Sequence, residues 1–133
     1  MKKKSKRSIT SLLLLVALLM ANLVPAQAVQ IEPRYTGITG LSTVLTISAS
    51  GGAKCGGEVI ALSGYTADLT VELKQDGTTI KTWTASGTGV VSAGSTYYVK
   101  SGHDYVVTTS VEVYTSSNTL VCTASKDSPE SSY

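Results

Sequence analysis

Between residues 38 and 125 apolar and polar side chains alternate one for one, in stretch after stretch. A period of two gathers the apolar residues on one face of an extended strand, whereas on a helix the same residues would be scattered around the axis. Ala67 to Lys74 sets Leu69, Val71 and Leu73 against Asp68, Thr70 and Glu72. Asp104 to Tyr114 is the longest such run, with Tyr105, Val107, Thr109, Val111 and Val113 on one side. Ile38 to Ser48 alternates through Leu41, Thr43, Leu45 and Ile47, and Ala53 to Ala61 carries Cys55 and Val59 on one face. Thr79 to Ala85, a short run near Val90-Val91 leading to Thr96 to Lys100, and Thr119 to Ser125 complete the set, the last with Leu120, Cys122 and Ala124 expected inward.

The breaks between these runs are turn chemistry. ASGG, LSGY, SGTG and TSSN separate strands, and QDGT places Asp76-Gly77 where a two-residue hairpin needs positive φ. About seven short strands in one hundred residues predict an all-β fold, a β-sandwich of immunoglobulin or fibronectin type III kind, with a small closed barrel as the alternative. Ser and Thr supply 32 of the 105 residues from Val29 onward. A disordered stalk could have that composition, but it would not sustain the alternation or hold Pro to positions 33 and 129.

The first 28 residues read differently. MKKKSKR is followed by the apolar run Leu12 to Met20 and then by Ala26-Gln27-Ala28. A basic segment, a short apolar segment and an A-x-A site predict a secretory signal peptide cleaved after Ala28. Asn22 and Pro25 interrupt the apolar run before it reaches the roughly 20 residues a membrane span needs. The expected organisation is a signal peptide over 1–28, a sandwich over 29–125 and a flexible tail over 126–133. No sorting motif, apolar tail or cysteine directly after the leader suggests anchorage. The expected location is therefore extracellular, released or held non-covalently, with no membrane contact after cleavage.

Cleavage also reverses the charge. Six basic residues remain against nine acidic ones, so the mature chain carries −3 rather than +2. That removes the electrostatic basis for binding nucleic acid or an anionic membrane.

Residues 101–107, SGHDYVV, hold the only histidine. His103 beside Asp104 suggests a general base and its orienting carboxylate, but neighbours in a strand point to opposite faces. No G-x-S-x-G elbow supplies a nucleophile. Tyr105, two residues before the inward Val107, fits a tyrosine corner, whose hydroxyl bonds back to upstream backbone, with His103 and Asp104 in the turn that feeds the strand. No catalytic residue is assigned and no enzyme activity is expected.

One histidine and two cysteines 67 residues apart do not make a zinc site of usual spacing. No calcium loop or phosphate loop occurs, so no metal or other cofactor is expected. Gly51-Gly52, Gly56-Gly57 and Gly87-Thr88-Gly89 read as turns and bulges. Cys55 and Cys122 are an even pair in an exported chain, which suggests a disulfide. Against it, the immunoglobulin bridge joins the second and sixth strands and Cys122 lies in the seventh; two buried free thiols are the alternative.

The aromatic residues offer the one hint of a ligand surface. Ile80 and Trp83 are an odd number of residues apart, so either a bulge turns Trp83 inward or it is exposed. In an unbroken register Trp83 shares a face with Lys81 while Ile80 points inward with Thr82, and Tyr98 sides with Lys100. Trp83, Lys81 and Tyr98 thus form a possible glycan-stacking surface.

RYTGITGLSTVLTIS, a Gly-rich stretch with Cys55, then SGYTADLTVELKQDGTTIKTWTASGTG and YYVKSGHDY span nearly all of the mature chain. Together they resemble a family of small exported proteins of Gram-positive Firmicutes that carry a domain of unknown function. The resemblance implies an extracellular, immunoglobulin-like domain and brings no functional residues with it. The function expected is that of a secreted, non-catalytic binding or structural module, its partner a cell-wall or host glycan or a protein. Glycan binding around Trp83 is the alternative.

Overall fold

The computed structural model describes residues 35–133; the leader and its cleavage site lie outside the described residues. Eight strands follow in order: β1 (Ile38–Ile47), β2 (Gly52–Ala61), β3 (Tyr65–Gln75), β4 (Thr78–Gly87), β5 (Val90–Tyr98), β6 (Asp104–Thr115), β7 (Leu120–Asp127) and the two-residue β8 (Ser131–Ser132). They form two antiparallel sheets, β1-β2-β5 and β4-β3-β6-β7, with β8 pairing the start of β6. The chain is a β-sandwich. Its fourth strand lies beside the third, not at the edge of the first sheet, which is the fibronectin type III arrangement of the immunoglobulin-like architecture.

The period of two places the core as expected. Leu69, Val71 and Leu73 of β3 and Tyr105, Val107, Val111 and Val113 of β6 are buried against Ala53, Cys55, Val59 and Ala61 of β2. The two sheets approach closely at Gly57. A Cβ there would strike Thr109 Oγ1 and lie 2.6 Å from its Cγ2 and 2.8 Å from Val71 Cγ2. Thr109 is fully buried and its hydroxyl has no hydrogen-bond partner.

Turn chemistry also acts as the sequence suggests at Asp76-Gly77. Both residues adopt positive φ, 49° and 84°, and Gln75 pairs directly with Thr78 across the two-residue loop.

Five expectations are corrected. Val90-Val91 and Thr96 to Lys100 are not separate runs: β5 is continuous and in unbroken register with β2, and the small and polar residues Ser92 to Ser95 hide its alternation. Gly56-Gly57 is not a turn. Both residues lie in the middle of β2, in register with Val44 and Thr43 on one side and Gly94 and Ala93 on the other.

Leu120 points outward, 49% exposed, because the register between β6 and β7 shifts from Val113↔Cys122 to Tyr114↔Leu120 and leaves Val121 unpaired. A second bulge sits at Ile80, where Leu73↔Lys81 is followed by Lys74↔Thr79. Trp83 then stands opposite the buried Val71, and both Ile80 and Trp83 pack against the core while Thr82 is exposed.

The segment 126–133 is bound rather than loose. Ser128 is buried, its hydroxyl accepting the Val107 N–H at 2.9 Å, and β8 pairs with Asp104 and Tyr105. Thr43 Oγ1 donates to the Lys126 carbonyl at 3.1 Å, joining β1 to the end of β7.

The contact at Gly57 generates a prediction. Gly57→Ala is expected to destabilise the domain by about 1–3 kcal/mol, the usual cost of overpacking. Thr109→Val removes the orphan hydroxyl at nearly constant volume and is expected to leave stability unchanged or raise it by about 1 kcal/mol. Denaturant melts of the two variants check both; a neutral Gly57→Ala would show that the sheets are not in contact there.

Candidate functional site

Two regions collect the side chains capable of recognition or chemistry: one end of the sandwich, around SGHDY, and the outer face of the three-stranded sheet.

At the end, Tyr105 is fully buried. Its hydroxyl donates to the Lys100 carbonyl at 2.6 Å and accepts the Lys100 N–H at 3.1 Å. This is the bond back to upstream backbone that makes a tyrosine corner, and it fixes the loop of residues 99–103 ahead of β6.

His103 does not use its neighbour Asp104. Its Nδ1 lies 2.5 Å from Oδ2 of Asp76, in the β3–β4 turn 27 residues upstream. The other Asp76 oxygen accepts the Asp104 N–H at 3.0 Å, and the Asp76 N–H donates to the Asp104 carbonyl at 2.8 Å. These bonds, led by that from the Asp104 backbone and then by that from His103, hold the Asp76 carboxyl below its ordinary value.

Tyr133 adds a third strap. Its carbonyl accepts the Gly102 N–H at 2.5 Å, its N–H donates to the His103 carbonyl at 3.1 Å, and its hydroxyl donates to the Ala49 carbonyl at 3.1 Å. Among the described residues, no serine or threonine hydroxyl is hydrogen-bonded to the imidazole. What the arrangement does chemically is clamp two turns and a terminal segment together. Pairing His103 with Asp76 was invisible to sequence reasoning, because it depends on which turn the fold brings alongside.

The cysteines are not joined. Cys55 is buried in β2 and Cys122 half-buried in β7, and both are free thiols, which corrects the expected disulfide. The cause is topological: β2 is central in one sheet and β7 is the edge of the other, outside the strand position that bridges to β2 in immunoglobulin domains. Burial pushes the Cys55 thiol up to about 11, so it remains protonated and a poor nucleophile at neutral pH. Among the described residues, no group of three or more His, Cys, Asp or Glu side chains could hold a metal ion.

The proposed aromatic surface is divided by the fold. Trp83 and Lys81 share a face, as the alternation requires, but the bulge at Ile80 makes it the inward face of β4, where Trp83 packs on the core and Lys81 reaches solvent. Tyr98 belongs to the other sheet. It is 76% exposed on the outer face of β5, paired with Gly52, and a Cβ on Gly52 would stand 3.5 Å from Tyr98 Cε1. Its ring therefore lies across the sheet beside that glycine.

On the same outer face a shallow trough crosses the paired glycines as two adjoining depressions, one of about 340 Å³ over Gly94 on the β5 side and one of about 260 Å³ over Gly56 toward Val44 of β1. Lys54 and Glu58 stand two residues either side of Gly56 and so share its face. The outer face of the other sheet contrasts with this one: its depression of about 350 Å³ is lined by Asp68, Glu112 and hydroxyl side chains.

The fold and its corner define the class as an immunoglobulin-like β-sandwich of fibronectin type III strand order. Compared with protein-family models and with curated proteins, the chain matches none.

Two predictions concern the clamped end. Tyr105→Phe is expected to destabilise the domain by about 1 kcal/mol through loss of the corner bond, as read by a denaturant melt; an unchanged midpoint would show that the hydroxyl is not pinning the loop. For Asp76, whose carboxyl is held down in the folded state, stability is present above its ordinary unfolded value and lost as pH falls through the folded one. Asp76→Asn keeps a residue that tolerates positive φ but removes the titration. Melting temperature followed from neutral into the acid range is therefore expected to fall less steeply for the variant than for the native protein; parallel curves would contradict the clamp.

Proposed function

We propose that the chain is a secreted, non-catalytic immunoglobulin-like module that works outside the cell by binding or as a surface component. It would be one of the small exported Gram-positive proteins that its sequence resembles. The observation that carries this reading is the division of labour within the domain. The side chains best suited to chemistry serve the fold: His103 clamps a turn, Tyr105 pins a loop, and Cys55 is a buried protonated thiol. The exposed polar and aromatic side chains lie on open sheet faces, which suit surface recognition. The leader-like first 28 residues support export.

Glycan binding is the second reading. The observation favouring it is Tyr98, an aromatic ring left 76% exposed beside a polar trough. Trp83, packed on the core, is no longer part of that surface. The partner is then a cell-wall or host glycan, with a surface protein as the other possibility, and neither nucleic acid nor membrane.

Expression in a Gram-positive host tests the reading. The protein is expected in the culture medium with Val29 as its first residue, by N-terminal sequencing, and the purified protein is expected to be retained by isolated cell-envelope material. Full-length chain held in the membrane fraction would overturn export. Turnover of ester or peptide substrates that disappears in His103→Ala would overturn the non-catalytic assignment.

A further inference from the structure

Gly56 occupies an unusual position. It sits in the interior of the central strand of its sheet, where glycine is unfavourable because it loses the most conformational freedom and offers no side chain to pack. Backbone geometry does not require it, since its φ is not positive. Packing does not require it either: a Cβ at Gly56 would meet nothing nearer than the Ala93 carbonyl oxygen at 3.8 Å. Its neighbours differ. Gly57 is needed for the contact with Thr109, and Gly94 is needed because a Cβ there would strike the Cys55 carbonyl and come within 2.7 Å of Gly56 Cα. The register runs unbroken through Gly56, so it marks no bulge, and a strand glycine of this kind leaves the backbone open to close approach by a ligand.

What surrounds Gly56 defines the chemistry. Lys54 lies on one side and Glu58 on the other, each roughly 6–7 Å along the strand at the usual rise. Among the described residues neither forms an ion pair with the other or with any partner. The walls of the trough thus present a cationic donor and an anionic acceptor with no net charge, together with Ser92 and Thr96 of β5. The apolar side chain of Val44 stands at the β1 end. Four residues along β5 from Gly94, about 13 Å by strand rise, the ring of Tyr98 is open to solvent. A ligand matching this face needs hydroxyl groups that both donate and accept at its edges, flat C–H faces for a ring and for bare backbone, no net charge, and a length spanning trough and ring.

We propose that the outer face of the β1-β2-β5 sheet is a binding site for a neutral oligosaccharide of pyranose units. One unit lies in the trough over Gly56 and Gly94 between Lys54 and Glu58, and another stacks on Tyr98. This rests on the binding-module reading above and places its site. The depression on the outer face of the opposite sheet is the weaker candidate, because its lining offers two carboxylates and hydroxyls but no cationic donor and no aromatic ring.

Isothermal titration of the purified protein with soluble hexasaccharides of glucose, mannose and N-acetylglucosamine tests the assignment. At least one of them is expected to bind. Tyr98→Ala, which removes the stacking ring, and Gly56→Val, which fills the trough, are each expected to weaken that binding about tenfold. Both variants should melt as the native protein does, since Tyr98 is exposed and the space above Gly56 is open. Trp83→Ala is expected to lower the melting temperature instead, because Trp83 packs on the core.

Binding that survives both Tyr98→Ala and Gly56→Val would remove the site from this face while leaving the glycan reading intact. Failure of all three sugars to bind would overturn the proposal, with export and envelope retention still able to stand. Sedimentation as a dimer that Gly56→Val dissociates would assign the face to a second copy of the chain and overturn it equally.

Discussion

Two sheets can share a core only if the side chains between them fill the gap without forcing the layers apart. Here that condition is met by a mismatch in size. The inner face of β2 presents Ala53, Cys55, Gly57, Val59 and Ala61, while β3 and β6 present Leu69, Val71, Leu73, Val107, Thr109 and Val111. Small residues on one layer accept large ones from the other, and at Gly57 the acceptance is complete enough that even a methyl group would collide. Cys55 belongs to this arrangement. It behaves as a small apolar residue, and the same burial that makes it pack well keeps its thiol protonated.

The ends of the sandwich are held by a different kind of interaction. Apolar burial fixes the sheets but leaves loops free to wander, and directional hydrogen bonds supply the missing constraint. Tyr105 draws residue 100 against the start of β6, Asp76 draws the β3–β4 turn onto residues 103 and 104, and Tyr133 closes over both. The two outer faces differ in character, one carrying a glycine-floored trough and an open ring, the other carboxylates and hydroxyls.

Residues whose role depends on strand period were legible in advance. Tyr105, Val107, Thr109, Val111 and Val113 had to share a face, and they do; Asp76-Gly77 had to turn, and it does. For Trp83 the sequence left a bulge-turned inward ring and an exposed one as the two alternatives, and the structure takes the first; the outward turn of Thr82 and of Leu120 was not legible, because each follows or adjoins one extra residue that shifts the register. A single-residue bulge exchanges the faces of everything beyond it, and bulges at Ile80 and Val121 arise from how neighbouring strands fit rather than from any local composition. Gly56 was misread for a related cause. A glycine pair in isolation resembles a turn, and only pairing on both sides identifies it as strand interior with open space above.

By itself the sequence determined that this chain forms strands, where most of them turn, and which alternate residues must be buried, because backbone geometry imposes the period of two on every strand regardless of its partners. Tertiary structure alone decided which carboxylate meets His103, that Cys55 and Cys122 stay apart, that Trp83 turns inward while Tyr98 stays out, and that Gly56 floors a trough. Each of those outcomes depends on the order and register in which distant strands are laid side by side. That order is fixed by the collective fit of two sheets, which no segment of the chain contains on its own.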